Sequence, residues 1–394
     1  MSESAEPLRQ DDGTTYEVAI EDARVVTPTR TVRGCVLIHD GKIGAIEADD
    51  PDATATDHID ADGRVLMPGI VDLHGDDIES HLHPRSNAAV EPSMALAAAD
   101  RANIASGITT KFHAIAFEDA PEKNRSPELA MNLVDSVRSN DSLLVDHRIH
   151  ARCEITDESG IEAVEDVLAA DATSLVSVMS HIPGKGQFRD VERFRTYYEN
   201  DANLSVEEAD ALIEERTNLS EEVLASRVDR IVSAADEADV AVASHDDETP
   251  VEVERLHERG VDISEYPITL DAAKRARTLG MVTAMGAPNL VRGGSQWGNL
   301  ATDEAIKAGA ADALLADYHP PSLLAAPFVE TGESLSTRVA RVTLNPAEAV
   351  SLGDRGRIEV GARADLILVD PEPTPVVERA FVAGDPVFKA EAGR

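Results

Sequence analysis

The feature that most constrains the fold of this chain is a series of eight short apolar segments in its central part. Each segment has the length of a buried β-strand, and most gaps between them carry a helical pattern, for example residues 88–106 and 272–279. The predicted strands are IVDLHGD, TTKFHAI, DHRIHARCEI, SLVSVMSH, VAVASHDD, DISEYPI, MVTAMGAPN and ALLADYHP. The block from Val71 to Pro320 has about 250 residues, the usual length of a (β/α)8 barrel.

Nearly every predicted strand ends in His, Asp, Glu or Asn. In a barrel, the carboxyl ends of the parallel strands meet at one mouth, and active sites are built there. A doubly wound open sheet is the alternative fold, but it requires no eightfold count of strands. The pattern therefore favours a barrel with a polar mouth.

Segments with β-type alternation flank this central block on both sides. YEVAIEDARVV, GCVLIHDGKIGAIE and HIDADGRVLMP precede it, and GRIEVGARADLILVD and RAFVAGDPVF follow it. The Asp40-Gly41 and Asp62-Gly63 pairs predict β-hairpins in the first of these regions. Two flanking β regions predict a small β-sandwich built from both ends of the chain.

The predicted architecture is an α/β fold, a (β/α)8 TIM-like barrel with a small β-sandwich domain formed from both termini. The sandwich is assigned to residues 17–66 and 354–390, and the barrel to residues 67–353. A helical insertion at residues 199–238 follows the fourth barrel strand.

Two helices are predicted in this insertion. Ser205 and Glu208 form the S-x-x-E pattern of a capping box, which predicts the start of the first helix. The second helix is predicted from Ser220 to Ala238. The insertion is expected to lie near the barrel mouth.

The chain is strongly acidic, with 74 Asp and Glu against 36 Lys and Arg and a net charge of −38. Such a charge repels nucleic acid and anionic membranes at long range. The acids are spread along the chain, which favours a halophilic-type acidic surface, adapted to high intracellular salt, over binding of a cationic partner.

A cytoplasmic enzyme is expected. No apolar run approaches the roughly 18 residues of a membrane span, and the N-terminal residues are too polar for a secretory signal. Cys35 and Cys153 are far apart and form no CxxC motif, so two reduced, buried thiols are expected.

The strongest local motif is His74-Gly75-Asp76, at the end of the first predicted strand. Residues i and i+2 on a strand point to the same face, so this imidazole and carboxylate can bind one cation together. An HxD motif alone is common by chance. Its position after an apolar strand, with an acidic cluster behind it, strengthens the interpretation.

Other predicted strands end in further candidate metal ligands, and these are His150, Glu154, His181, His245 and Asp317. Each histidine alone is better explained as a hydrogen-bonded core residue, but a whole set at strand ends favours a metal site. Imidazole and carboxylate without thiolate suit Zn, Mn, Fe or Ni. Because a divalent ion lowers the pKa of its bound water to about 7, Asp317 on the last strand is the candidate general base as well as a ligand. A purely structural Asp317 is the alternative.

Candidate substrate-binding residues lie in loops after the predicted strands. They are Arg85, Lys185, Gln187, Asn289 and Arg292, with Arg189 beside them and Gly293 and Gly294 next to the last arginine. Guanidinium groups pair with phosphate oxygens, and glycines let backbone N–H groups approach an anion. No Walker-type spacing is present, and surface bases with turn glycines are the alternative explanation.

These motifs together resemble the PhnM family of the amidohydrolase superfamily. The matching blocks are MPGIVDLHGDDIESHLHPR, HRIHARCE, SVMSHIPGKGQFRD, ASHDDET, EYPITLDAA, GAPNLVRGGSQWGN, ADYHPPSLLAA and NPAEAVSLGDRGRIEVGARADLILV. The resemblance runs from about residue 65 to residue 370, in family order.

The resemblance implies a hydrolase with two divalent metal ions that converts α-D-ribose 1-methylphosphonate 5-triphosphate to the 5-phosphate and pyrophosphate in phosphonate catabolism. The matching positions are His74 and Asp76 for one metal, His181 and His245 for the second, Glu154 in place of a bridging carbamylated lysine, and Asp317 beside the nucleophilic water. His150 and Asp247 are rival ligands.

Two other functions stay open at this point. One is hydrolysis of a C–N bond by a cyclic amide hydrolase or deaminase, and the other is a non-catalytic scaffold on a degenerate barrel. The expected partner is a small phosphorylated substrate, with no nucleic acid and no membrane. Assembly into a homo-oligomer is left open.

Overall fold

The computed structural model describes residues 15–47, 54–85, 88–140, 142–188, 190–200, 204–295 and 298–390. Their strands are β1 (Tyr16–Val26), β2 (Thr31–His39), β3 (Lys42–Glu47), β4 (Ala55–Asp60), β5 (Val65–Pro68), β6 (Ile70–Gly75), β7 (Ile108–Phe117), β8 (Asp146–Glu154), β9 (Leu175–Met179), β10 (Ala241–His245), β11 (Ile263–Glu265), β12 (Val282–Gly286), β13 (Ala313–Leu315), β14 (Leu366–Asp370), β15 (Val376–Val382) and β16 (Asp385–Lys389).

The α-helices are α1 (Asp77–Leu82), α2 (Pro92–Ala105), α3 (Pro127–Arg138), α4 (Glu158–Ala169), α5 (Val191–Asn200), α6 (Val206–Thr217), α7 (Glu221–Glu237), α8 (Pro250–His257), α9 (Leu270–Leu279), α10 (Ala287–Arg292), α11 (Thr302–Lys307), α12 (Pro320–Ala325), α13 (Leu335–Ala340) and α14 (Leu344–Ala349). Several helices start at a side-chain cap. Ser126, Thr249 and Thr269 each accept a hydrogen bond from the backbone N–H three residues later. Among the described residues, no helix is long and apolar enough to cross a membrane.

Strands β6 to β13 form one parallel sheet in sequence order. A bridge between Gly75 and Asp317 links the first of these strands to the segment after the last, so the sheet closes into a barrel. Each of the eight predicted segments overlaps one of these strands. The predicted (β/α)8 TIM-like barrel is confirmed.

Alternation along β8 explains why polar groups gather inside the barrel. Ile149, Ala151 and Cys153 belong to an apolar cluster that includes residues of α3, α4 and α7. Because side chains alternate along a strand, His150 and Arg152 lie on the opposite face, toward the barrel interior.

The other sheet combines strands from both ends of the chain, in the order β16-β15-β14-β5-β1-β2-β3, with β4 also paired to β1. This confirms the predicted β domain from both termini. The Asp40-Gly41 pair joins β2 to β3 as an antiparallel hairpin, as expected. The prediction of a hairpin at Asp62-Gly63 is wrong. The strands on either side of this turn, β4 and β5, both run parallel to β1 and pair with successive parts of it. A bulge in β1 after Ile20 separates these two parts.

The terminal sheet has an apolar core of its own and a second face on the barrel. Val36, Leu66 and Phe381 belong to the sheet's own cluster. Met67 and Val377 instead pack in one cluster with barrel residues. The sheet is therefore fixed to the barrel by apolar burial.

The helical insertion after β9 begins earlier than the sequence suggested, with α5 at Val191. The predicted capping box at Ser205 and Glu208 is present, and Ser220 caps the start of α7. Arg216 of α6 donates a hydrogen bond of 2.9 Å from Nη1 to the backbone carbonyl of His181. This bond ties the insertion to the end of the fourth barrel strand.

Candidate metal centre

Three histidines surround one carboxylate at the barrel mouth. Nδ1 of His74 lies 3.1 Å from Oε2 of Glu265, at the ends of β6 and β11. Nε2 of His150 lies 3.9 Å from the same oxygen, and Nδ1 of His245 lies 3.6 Å from it. The cluster thus joins four strands that are distant in sequence.

Several ligand-type atoms in this cluster have no hydrogen-bond partner among the described residues. They are Nε2 of His150, Nδ1 of His245 and Oε1 of Glu265. An unpaired buried polar group costs about 1–3 kcal/mol, so such a group calls for a ligand. His74, His150 and Glu265 can each offer one ligand atom, and these atoms lie within 4.8 Å of one another. The donor set therefore fits a divalent cation.

The protonation of the histidines suits metal binding. Burial lowers the pKa of His150 to about 4 and that of His245 to about 3. Burial also holds the pKa of His74 well below its ordinary value. Nδ1 of His150 donates to the Leu73 carbonyl at 2.8 Å, which leaves the lone pair on Nε2.

Two aspartates lie beside the cluster where the barrel closes. The backbone N–H of Asp317 donates to the carbonyl of His74 at 2.9 Å, and that of Asp76 donates to the Asp317 carbonyl at 3.2 Å. Burial, reinforced by the negative charge of Asp76, raises the pKa of Asp317 to about 7. Burial also raises the pKa of Asp76, while the guanidinium of Arg152 opposes this shift.

The cluster opens into a cavity of about 190 Å3. Five predicted ligands line it, and they are His74, Asp76, His181, His245 and Asp317. A larger cavity of about 570 Å3 adjoins it and shares His245 and Asp246 with it. The structure therefore brings most of the predicted ligand set to one place.

Glu154 does not join this cluster. Its Oε2 lies 2.5 Å from Nδ1 of His181, and its Oε1 accepts a hydrogen bond of 2.7 Å from the Thr156 hydroxyl. Burial alone would raise the pKa of Glu154, but the adjacent His181 lowers it to about 2. Glu154 therefore orients His181, and its oxygens are occupied by these bonds.

The two rival ligands are placed differently. His150 lies in the cluster, as its distance to Glu265 shows. Asp247 points elsewhere, since its Oδ2 accepts hydrogen bonds from the hydroxyls of Ser244 and Ser264. Burial raises the pKa of Asp247 to about 7.

The predicted substrate-binding residues are dispersed. Asn289 lines the smaller cavity and accepts a hydrogen bond of 2.8 Å from Nη2 of Arg292, which is exposed. Lys185 is exposed and lines the larger cavity. Arg85 is exposed and lines neither cavity. The side chain of Gln187 and the whole of Arg189 lie outside the described part of the chain.

Sequence reasoning did not single out three residues of the mouth. Glu265 ends the very short strand β11, Tyr266 follows it, and Arg152 lies two residues after His150 on β8. The signal for Glu265 was available, because it is a carboxylate at the end of a predicted strand. Arg152 shares the face of His150, which the period of two would have shown.

A second buried polar group lies next to the cluster. Nζ of Lys111 lies 2.7 Å from Oδ2 of Asp72 and 2.6 Å from Oδ1 of Asp77, and all three side chains are buried. The other Asp72 oxygen accepts the backbone N–H groups of His74 and Ala316. We refer to Lys111, Asp72 and Asp77 as the lysine triad.

Comparisons with known proteins agree with this geometry. A family model described as the amidohydrolase family matches residues 156–383. A 5-methylcytosine deaminase from Klebsiella pneumoniae superposes with a TM-score of 0.63 at 16% identity, covering 95% of this chain and 99% of that one. An adenosine deaminase from Xanthomonas campestris with bound zinc has a TM-score of 0.62 at 15% identity, covering 94% and 93%. The chain belongs to the amidohydrolase superfamily and is a hydrolase.

A more specific relative is the alpha-D-ribose 1-methylphosphonate 5-triphosphate diphosphatase of Escherichia coli (strain K12). It is 32% identical over 378 residues, which cover 94% of this chain and 100% of that protein. The resemblance to the PhnM family is thereby confirmed over nearly the whole chain.

Proposed function

We propose that this protein is a metal-dependent diphosphatase of phosphonate catabolism. It hydrolyses α-D-ribose 1-methylphosphonate 5-triphosphate at the phosphoric anhydride and releases the 5-phosphate and pyrophosphate. The observation that carries the proposal is the full-length match to the diphosphatase of Escherichia coli. The buried cluster of imidazoles and carboxylates supports the metal dependence.

The residues that would hold the first metal ion are His74, His150 and Glu265, with His245 beside them. The remaining candidate ligands for a second ion are Asp76, His181 and Asp317. A divalent cation bound at this mouth would supply a Lewis acid that activates water and stabilises negative charge on phosphoryl oxygens. Zinc is the metal we expect first, ahead of manganese, iron and nickel.

Asp317 is the proposed general base. Its side chain lines the cavity among the candidate metal ligands, so it is placed to accept a proton from a water molecule in this cavity. The carboxylate of Asp76 lies beside that of Asp317. The new bond forms between the water oxygen and phosphorus, and the bond from that phosphorus to the pyrophosphate oxygen breaks.

The polar lining of the smaller cavity suits an anionic substrate. Asn289, Ser295 and Asn299 line this cavity together with the candidate metal ligands, so amide and hydroxyl groups lie where a phosphoryl group would bind. Ile268, Met285 and Leu300 are apolar residues of the same lining.

We also propose a cytoplasmic location with a small phosphorylated substrate as the partner. Cys35 and Cys153 are both free and buried, which suits a reducing compartment. Burial raises the pKa of Cys35 to about 12, so this thiol is unreactive at physiological pH.

The test is a turnover assay on protein purified without chelator. Ribose and nucleoside 5-triphosphates are supplied with Zn, Mn, Fe or Ni, and released pyrophosphate is measured. We expect pyrophosphate with the ribose 1-methylphosphonate substrate and none after metal removal. Cyclic amides and aminopyrimidines form the second arm, since the fold also occurs in deaminases. Turnover of those compounds alone would replace the diphosphatase by a C–N hydrolase.

A further inference from the structure

Arg152 is a buried arginine at the barrel mouth. Only 7% of its surface is exposed to solvent, and it lines the smaller cavity together with His74, His245 and Asp317. It lies on β8 two residues after His150, so both side chains point to the same face. Its guanidinium therefore lies beside the candidate metal ligands.

The guanidinium lacks the partners that buried arginines normally have. Its Nε and Nη1 have no hydrogen-bond partner among the described residues. Its nearest carboxylate oxygen is Oδ2 of Asp76, which lies 3.6 Å from Nη1 and beyond hydrogen-bond distance. By contrast, Arg341, which is equally buried, forms two bonds of 2.6 Å to the carboxylate of Glu333.

Arg152 also brings a positive charge to an otherwise acidic cavity. Among the described residues that line the cavity, Asp76, Asp246 and Asp317 are acids, and Arg152 is the one arginine or lysine. The whole chain has a net charge of −38. A fixed positive charge in this mouth would favour entry of a polyphosphate, in addition to any metal ion.

We propose that Arg152 binds the anionic oxygens of the phosphoryl group under attack, with its unpartnered Nε and Nη1 as donors. This inference rests on the proposed diphosphatase function and adds a substrate-binding residue to it. Guanidinium presents its N–H groups in a planar fork that matches two phosphoryl oxygens, and it stays charged at every relevant pH. β8 fixes the backbone of Arg152 in the barrel wall, and among the described residues anion binding would weaken only its 3.6 Å ion pair with Asp76.

The competing explanation is that Arg152 only offsets the charge of Asp76. In that case Arg152 would act on folding and on metal content, and not on anion affinity. The two explanations therefore differ in what the variants of this residue lose.

The experiment compares holoenzyme with Arg152→Lys, Arg152→Gln and Arg152→Ala. Binding of inorganic pyrophosphate is measured by calorimetry, kcat and KM with the triphosphate substrate, and metal content by elemental analysis. Arg341→Lys and Arg341→Gln serve as matched controls, since Arg341 is equally buried but lies outside both cavities.

We expect Arg152→Gln to bind pyrophosphate about 10- to 100-fold more weakly and to lose at least as much in kcat/KM, at unchanged metal content. Arg152→Lys should lose less, because it keeps the charge without the fork. Added guanidinium ion should restore part of the activity of Arg152→Ala. The Arg341 variants should lower the melting temperature and leave pyrophosphate affinity within about twofold.

The inference is overturned if Arg152→Gln keeps its pyrophosphate affinity and kcat/KM, or if its losses follow metal content alone. If the parent enzyme turns over the triphosphate and the Arg152 variants do so equally well, Arg152 does not bind the substrate, but the proposed function stands. A parent that binds pyrophosphate through Arg152 but hydrolyses no triphosphate removes the proposed function and keeps the anion site. Absence of both turnover and pyrophosphate binding removes both.

Discussion

Two buried polar groups lie side by side in this barrel, and they differ in one property. In the lysine triad, the Lys111 charge is shared by two carboxylates, and Asp72 also accepts two backbone N–H groups. In the cluster around Glu265, by contrast, three ligand-type atoms have no partner among the described residues. Both carboxylates of the triad are paired with the Lys111 charge, which stabilises the fold, whereas unpaired ligand-type atoms around Glu265 mark a place where a cation can bind.

Gly75 separates the two groups. A Cβ atom at this position would collide with Nζ of Lys111, so only glycine lets the lysine pass close behind the HxD motif. Both groups therefore include residues of β6, but the lysine triad stabilises the fold and the cluster around Glu265 is the candidate metal site. Substitutions in each of them should change different measured quantities.

The largest expected effect is that of Lys111→Met. The variant leaves the carboxylates of Asp72 and Asp77 buried without their counter-charge, which should cost about 3–5 kcal/mol of unfolding free energy. Urea denaturation measures this loss, and Lys307→Met is the control, because Lys307 is exposed. An unchanged midpoint for Lys111→Met would mean that the triad does not stabilise the fold.

The second prediction concerns the cluster around Glu265. Glu265→Gln should weaken binding of the divalent metal about 10- to 100-fold and lower activity accordingly, with little change in the stability of the metal-free protein. Metal titration with a competing chelator measures the affinity. Glu359→Gln is the surface control. Normal affinity together with a large loss of stability would make Glu265 a structural residue like those of the triad.

The third prediction tests the separation itself. Gly75→Ala should displace Lys111 and lower the unfolding free energy by about 1–3 kcal/mol, and it should disturb metal binding as well. Gly353→Ala is the matched control, because a Cβ there meets no atom within 4 Å. If Gly75→Ala changed only one of the two quantities, the groups would be independent.

The fourth prediction separates the groups by pH. In metal-free protein, burial lowers the pKa of His150 from 6.5 to about 4, so the unfolded chain binds the proton first and stability falls as the pH drops from about 6.5 to about 4. Burial opposes the shift of Asp77, but Lys111 holds its pKa below 3.8, so its contribution is lost only below that pH. His150→Phe should reduce the slope of the upper part of a stability profile by about 1 kcal/mol per pH unit, and Lys111→Met should change the lower part. Parallel profiles for parent and His150→Phe would contradict this assignment.

The smallest expected effect is that of salt. Added KCl should stabilise the parent protein, because it screens the repulsion of a net charge of −38. The difference between the parent and Lys111→Met should change by less than about 0.5 kcal/mol between about 0.1 M and about 1 M KCl, because buried pairs are screened weakly. A difference that vanishes at high salt would place the triad in contact with solvent.

Much of the fold was predictable from local pattern. Most barrel strands are short apolar segments that end near a polar residue, and helical patterns fill most gaps between them, so their number and order could be read from the sequence. The capping box at Ser205 and the turn at Asp40-Gly41 depend on neighbouring residues alone, so the sequence shows them directly. The turn at Asp62-Gly63 is formed locally too, but the partner of its strands is β1, which no local pattern shows.

The site was predictable in position and less so in detail. Strand ends identify which side chains reach the mouth, and His74, His245 and Asp317 indeed line one cavity. Whether a side chain still has an unused lone pair depends on tertiary hydrogen bonds. The carboxylate of Glu154 is hydrogen-bonded to the imidazole of His181, while Oε1 of Glu265 has no hydrogen-bond partner among the described residues.

The joining of both chain ends in one sheet has a consequence for the order of synthesis. Strand β5 leads directly into the barrel, yet its antiparallel partner β14 is translated about 300 residues later, and at about 5–20 residues per second this takes at least 15 seconds. During that interval one edge of β5 has no neighbour of its own chain, and such an edge can pair with other strands. Synthesis of β14 therefore ends a period of exposure that began with the synthesis of β5.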